Sequence, residues 1–426
     1  MDFTKRFDLI SKHRFLLSRS LMVIIASFTA NIFAYLFQLV SGRYFSKEDY
    51  GILVALFSLS GIIPLVVQFF ISGIPKLVAE IKDTDYPIRI SSLFYTIFKI
   101  NATITLVILV LMLIFKNAIA KFLNITDISV MNPFIFAVSA GILTLFMVPY
   151  VQGLMRFKAY SFITLLAAVS KLTVALVVLF LGLTLKDIYW GLTFTTLLIG
   201  IISYKVLLKN LNLNWRTTDK ADLALLIKYS LGGALALIGL NLVNSIDVLL
   251  VKHFFDADLA GTYGSISVIG RIIFYASSPV AIVMLPICAE KFKKGENFIK
   301  PFLVAIIIST FICLVASLIY FEFPHLIITV LFGSGYLSAE PYLGLFAIFM
   351  LIYTLLYIFA TFLIATSKFI LSSLVILSAI LQYAGITMFH NDIYQVIYVS
   401  IFSVSVVLVA YLITFIGFVN SGKGRN

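Results

Sequence analysis

Arg271, Lys171 and Lys99 each stand inside a long apolar run. A cation near the centre of a bilayer costs at least ~2.5 kcal/mol on insertion scales, which makes each a candidate for function. Lys171 is eleven residues beyond Tyr160, about 16 Å along a helix, and Arg271 is ten beyond Gly261, so both fall near mid-span. Lys99 lies about 10 Å from the inner end of its run, and its stem reaches the headgroups. The bland role for all three is an ion pair or snorkelling. Deep positive charge suits an anionic ligand, and Arg in particular suits phosphate, whose oxygens a guanidinium meets two at a time. Asp247 is the one deep carboxylate, and three roles stay open for it: pairing with Arg271, coupling transport to protons or sodium, or sitting at the interface. Helical rise sets it some 9 Å from Arg271 along the membrane normal.

These residues belong to polar stripes. Ser267, Arg271, Tyr275 and Ser278 follow helical steps, as do Ser20, Ser27, Asn31 and Gln38, while Ser230, Asn241 and Asn244 share one sector. Interhelical hydrogen bonding alone explains any single stripe. Three stripes with mid-span cations point to a hydrated cavity in which Asn31, Gln38, Asn241, Asn244 and Tyr275 meet hydroxyls, and Arg271, Lys171 and Lys99 meet negative charge. Arg271 and Lys171 are expected to charge a central cavity shared by two halves rather than form structural ion pairs.

The elements that position them are dictated by composition. The 426 residues are 62% hydrophobic and 12% charged, against roughly 25% charged in soluble domains, so the chain has lipid for a solvent. Spanning ~30 Å takes about 20 apolar residues, and twelve runs qualify: 16–41, 51–74, 92–115, 132–154, 160–183, 187–208, 229–251, 262–286, 302–321, 342–365, 369–388 and 394–419. The fold class is all-α, a polytopic membrane protein of about twelve transmembrane helices in two six-helix lobes, 1–208 and 229–426, joined by a cytoplasmic linker at 209–228. The basic N-terminus reads as leading into a retained first helix. With both termini inside, cytoplasmic segments and the span ends beside them, Arg19 and Lys205 included, hold 22 Lys and Arg and outer segments six, the asymmetry that sets orientation.

The halves repeat. Arg43 to Gly51 after the first run and His253 to Gly261 after the seventh both carry an aromatic pair, acidic residues and a closing Gly, and an Ala-Glu pair follows each Gly at equal spacing, Ala79-Glu80 and Ala289-Glu290. That spacing argues for parallel repeats. The net charge of +12 is spread over short loops, which is topogenic charge and no nucleic-acid surface. Cys288 and Cys313 have no disulfide or metal spacing, and His13, His253, His325 and His390 are scattered without a nucleophile or paired carboxylates, so no cofactor, metal or enzymatic site is expected.

The run from Leu17 through Glu80, above all Gly42-Arg43-Tyr-Phe-Ser-Lys-Glu-Asp-Tyr-Gly51, resembles the opening of the polysaccharide-exporter branch of the multidrug/oligosaccharidyl-lipid/polysaccharide flippase superfamily. Asp247 with Gly261-Thr-Tyr263 and Arg271 is similar to that family's seventh and eighth helices, and Leu331-Phe-Gly-Ser-Gly-Tyr336 with Ala339-Glu-Pro-Tyr342 to its loop between helices nine and ten. The resemblance implies a MATE-like pair of lobes and, as in O-antigen flippases, the movement of an undecaprenyl-pyrophosphate-linked oligosaccharide from the cytoplasmic to the outer leaflet of the inner membrane. Its implied partners are membrane lipid, the lipid-linked oligosaccharide, a coupling proton or sodium ion, and other polysaccharide assembly proteins. The alternative within the superfamily is a multidrug/cation antiporter. Deep carboxylates suit cationic drugs, and deep cations suit anionic headgroups.

Overall fold

The computed structural model describes residues 3–81, 86–209, 211 and 218–420. Backbone polar groups in hydrocarbon must be satisfied within their own segment, and the described chain is accordingly helical: α1 (Phe3–Tyr44), α2 (Lys47–Ile62), α3 (Leu65–Ile71), α4 (Ile74–Ile81), α5 (Tyr86–Phe122), α6 (Met131–Thr144), α7 (Met147–Gly153), α8 (Phe157–Phe180) and α9 (Leu185–Leu208). After these come α10 (Lys220–Phe254), α11 (Ala257–Lys294), α12 (Ile299–Glu322), α13 (Pro324–Leu331), α14 (Glu340–Ala365), α15 (Phe369–Ser372), α16 (Val375–Met388) and α17 (Ile393–Asn420). Among the described residues, twelve stretches are long and apolar enough to cross a membrane.

Some spans are broken where proline removes a donor and crowds the preceding turn. Pro64 separates α2 from α3, and the α6–α7 break at Leu145 and Phe146 lies four and three residues before Pro149. Helix α11 runs on through Pro279 and Pro286. At the first of these the Ser278 hydroxyl donates to the Tyr275 carbonyl at 3.3 Å, giving a partner to the oxygen that the proline leaves without its usual N–H.

The chain divides into two compact units. The first joins Met1–Val40, Val66–Asn117 and Asp127–Ser230; the second joins Ser41–Leu65, Ala118–Thr126 and Leu231–Asn426. The division at Ser230 falls just past the expected linker, but two segments of the N-terminal half are grouped with the second unit. Of that linker, 210 and 212–217 lie outside the described residues, and 220–228 is the start of α10.

In both units, buried tyrosine hydroxyls tie one helix to the backbone of another. Tyr150 donates to the Ile90 carbonyl at 2.6 Å in the first. In the second, Tyr320 donates to Ile269 at 2.8 Å, Tyr353 to Leu240 at 3.1 Å and Tyr411 to Ser372 at 2.7 Å. Where lipid is as apolar as the core, such bonds and close packing replace the hydrophobic drive between helices. In the first unit, Phe94 packs between Phe146 and Tyr150, and the Asn101 amide donates to the Ile142 carbonyl at 2.9 Å.

Candidate functional site

The three sequence pieces that carry the family resemblance converge in the second unit. Arg43, near the C-terminus of α1, turns its guanidinium onto the last carbonyls of α13: Nε donates to Leu331 at 3.0 Å, and Nη2 donates to Val330. A cation over a helix C-terminus satisfies unpaired carbonyls and complements the dipole. Tyr50 meets Phe332 and Tyr336 edge to face. The two repeat glycines also meet, since a Cβ on Gly51 would lie 2.9 Å from the Gly261 nitrogen. Ser46 caps α2 by accepting from the Asp49 N–H, and Asp256 caps α11 by accepting from Leu259. Each cap stands five residues before its glycine. The stretch between the expected spans 302–321 and 342–365 is thus a folded segment, α13 and a 3₁₀ turn at Ser334–Ala339, held by Arg43.

Deeper in the same unit lies the polar cluster. Asp247 is fully buried, Arg271 Nη2 lies 3.6 Å from its Oδ1, and the Tyr263 hydroxyl donates to its Oδ2 at 2.9 Å. Arg271 Nη2 also donates to the Asn244 backbone carbonyl at 2.6 Å. The expectation that Arg271 forms no ion pair is therefore corrected: the side chains bridge the offset that helical rise sets between the two positions along the normal. Helical side chains lean toward their own N-termini. Because α10 and α11 run in opposite directions from their connecting turn, Asp247 leans away from the turn and Arg271 toward it. Six residues into α11, Tyr263 stands level with Asp247, seven before the end of α10.

The cluster keeps hydrogen-bonding capacity in reserve. Asp247 Oδ1, Arg271 Nε, Asn244 Oδ1 and Ser267 Oγ are buried without a hydrogen-bond partner among the described residues, each at a cost of about 1–3 kcal/mol in a dry interior. The Arg271 side chain is 13% exposed, whereas Asp247 beside it is sealed. The expected stripe on α11 runs from buried Ser267 to Tyr275, which is 41% exposed. Asn241 is half-buried, and its amide donates to the Leu237 carbonyl of its own helix at 2.9 Å.

The remaining expected residues lie in the first unit on three helices. Asn31 on α1 is exposed and Gln38 half-buried, while the side chain of Ser20 lies outside the described residues. Lys99 on α5 is exposed, thirteen residues past the start of that helix, and its carbonyl accepts from Thr103 at 2.9 Å. Lys171 is half-buried midway along α8.

Two residues were passed over as site candidates. Tyr263 was visible only as part of a motif, although its distance from the turn matches that of Asp247. Lys252, counted in the sequence with the outer loop charges, is 1% exposed, with Glu48, Asp256 and Asp49 as electrostatic neighbours.

This is a multi-pass, all-helical membrane protein with a buried Asp–Tyr–Arg cluster. A family described as polysaccharide biosynthesis protein matches residues 40–341, and the chain belongs to that family. An uncharacterized membrane protein of Methanocaldococcus jannaschii is 24% identical over 363 residues, 79% of this chain and 82% of that one. Among solved structures, the inward-facing conformation of a multidrug resistance MATE family transporter of the MOP superfamily aligns at TM-score 0.74 and 12% identity, covering 90% of this chain and 92% of that one. The lipid II flippase MurJ in an inward closed conformation aligns at 0.71 and 13% identity, covering 93% and 87%. At these identities the structural likeness shows the fold, which is MATE-like as the motifs implied.

Proposed function

We propose that this protein is a flippase that moves a polyprenyl-pyrophosphate-linked oligosaccharide from the cytoplasmic to the outer leaflet by alternating access, in cell-surface polysaccharide biosynthesis. The observation that carries the reading is the buried Asp–Tyr brace behind a mid-span arginine whose side chain is 13% exposed. Asp247 and Tyr263 position the guanidinium, a group whose planar fork of donors suits phosphate oxygens. Asn244, Asn241 and Tyr275 supply groups suited to sugar hydroxyls; within the first unit Asn31 and Gln38 are of the same kind, and Lys171 and Lys99 are cations suited to negative charge. The polyprenyl chain stays in lipid, so only the headgroup needs a polar path. Membership of a polysaccharide biosynthesis family supports this reading, and the likeness of fold to a lipid II flippase is compatible with it.

A multidrug/cation antiporter would want a carboxylate that its cargo can reach, and Asp247 is enclosed and turned toward Arg271. With the positive-inside count, the reading places both termini in the cytoplasm of the cell that holds this inner-membrane protein.

The test is proteoliposome flipping of a fluorescent lipid-diphosphate oligosaccharide, scored by quenching from the outer leaflet. Wild type should make the probe accessible. Arg271→Gln combined with Asp247→Asn removes both charges without stranding either, so the protein should fold while flipping falls at least tenfold. Flipping at the wild-type rate by the folded double variant would refute the role of Arg271. A deletion strain with no second exporter that still delivers lipid-linked units to the outer leaflet would refute the function itself.

A further inference from the structure

The first unit contains a recess that the headgroup chemistry leaves unused. It measures about 150 Å³ and lies among α3, α4, α5 and the start of α10, with Asn101 as its single polar lining residue. Asn101 is 3% exposed and turns its amide into the protein, toward the carbonyls of Ile142 and Leu143. The floor is buried, with Val67 2%, Ile74 0% and Leu226 5% exposed. The rim is not: Ile100 is 46% and Ile227 43% exposed. The recess therefore opens to the surface, at the end of the unit where α4 and α10 meet.

An apolar space of this size stays dry and takes compact hydrocarbon, as a benzene-sized engineered cavity does. The neighbouring residues give the occupant a polarity. Lys76 follows Ile74 by two positions, and Lys228 follows Ile227; both lysines are exposed. The Lys76 ammonium lies 3.8 Å from the Tyr229 ring centre, and the Tyr229 hydroxyl donates to Glu80 at 2.7 Å. Close by, Asp222 is matched by Arg89. Apolar recess and flanking ammonium groups together describe a hydrocarbon chain that ends in an anion.

Resting on the flippase reading, we infer that this recess holds the first isoprene unit of the lipid carrier, with its diphosphate toward Lys76 and Lys228. A methyl-branched five-carbon unit is about the size of the benzene that a space of this volume takes, and its branch gives it more contacts per unit length than a run of methylenes. The recess thus selects the chain next to the phosphates, independently of which sugar is attached.

The experiment uses the full-length protein in nanodiscs with a polyprenyl diphosphate that carries a diazirine on its phosphate-proximal isoprene. Crosslinked peptides are mapped by mass spectrometry. Labelling is expected within 97–104 and 223–227. Ile100→Trp and Ile227→Trp each place an indole at the exposed rim of the recess, and each should lower that labelling at least tenfold with an unchanged melting temperature. A tenfold excess of phosphatidylglycerol should leave the labelling in place. Equal displacement by phosphatidylglycerol would make the occupant an ordinary acyl chain and overturn the inference. Labelling confined to other helices would overturn the recess and leave the flippase reading standing, whereas no labelling anywhere would overturn both.

Discussion

Each unit contains an Arg–Asp pair, and the two are built differently. In the first, Arg89 meets Asp222 through two short bonds, Nε to Oδ2 at 2.9 Å and Nη2 to Oδ1 at 2.6 Å. Asp222 lies in the first turn of α10, where the helix dipole favours a carboxylate, and Arg89 stands in the first turn of α5. In the second unit, Arg271 approaches Asp247 only to 3.6 Å, mid-span, and leaves hydrogen-bonding atoms on both residues unused. A fork that closes on its carboxylate at a helix end is a clamp. One held loosely at the centre of a span is what the proposed binding role of Arg271 requires.

The comparison is most exposed to failure at Asp247. Asp247→Ala strands the Arg271 guanidinium against the Asn244 carbonyl alone, and loss of one partner from a buried pair costs about 3–5 kcal/mol. Its melting temperature in detergent and its membrane abundance should fall sharply, and the neutral double variant should recover most of both. A melting curve like wild type would mean that the pair supports nothing. Tyr263→Phe removes one hydrogen bond to a charged acceptor, worth about 1.5–3 kcal/mol, and should loosen the arginine enough to reduce flipping as well as stability. If flipping is unmoved, Tyr263 only fills space.

Arg89→Lys keeps the charge but loses the two-point contact. The Arg89 side chain is 38% exposed, so solvent screening limits the loss to about 1 kcal/mol or less, and flipping should persist. Loss of flipping in that variant would erase the distinction between clamp and binding group. The last substitution, Lys171→Gln, removes a half-buried charge and should change stability by no more than about 1 kcal/mol. Its expected effect is on headgroup movement, and unchanged flipping would remove Lys171 from the site.

The twelve spans were legible because length and apolarity are what a bilayer demands of a helix, and nothing else in the chain mimics runs of that length. Breaks at Pro64 and near Pro149 follow from the missing donor. Helix α13 escaped because eight residues cannot be told from a loop by hydropathy. The meeting of Asp247 with Arg271 escaped for a different reason: counting rise along two helices locates Cα atoms, and the long guanidinium together with the opposed lean of the two side chains closes the remaining gap. The family motifs were visible as strings, but not as what they build. Arg43, Tyr50, Gly51, Gly261 and Tyr336 pack around one another at helix ends, a task of assembly rather than of binding.

The grouping of Ser41–Leu65 and Ala118–Thr126 with the second unit bears on protein engineering. A chimaera cut in the 209–228 linker exchanges chain halves without exchanging units. It would bring the Arg43 and Gly51 of one parent to the α13 carbonyls and the Gly261 of another, so graft compatibility rests on these few pairings more than on identity across the halves. A hybrid that also transfers 41–65 and 118–126 from the donor of the second unit carries its own matched set.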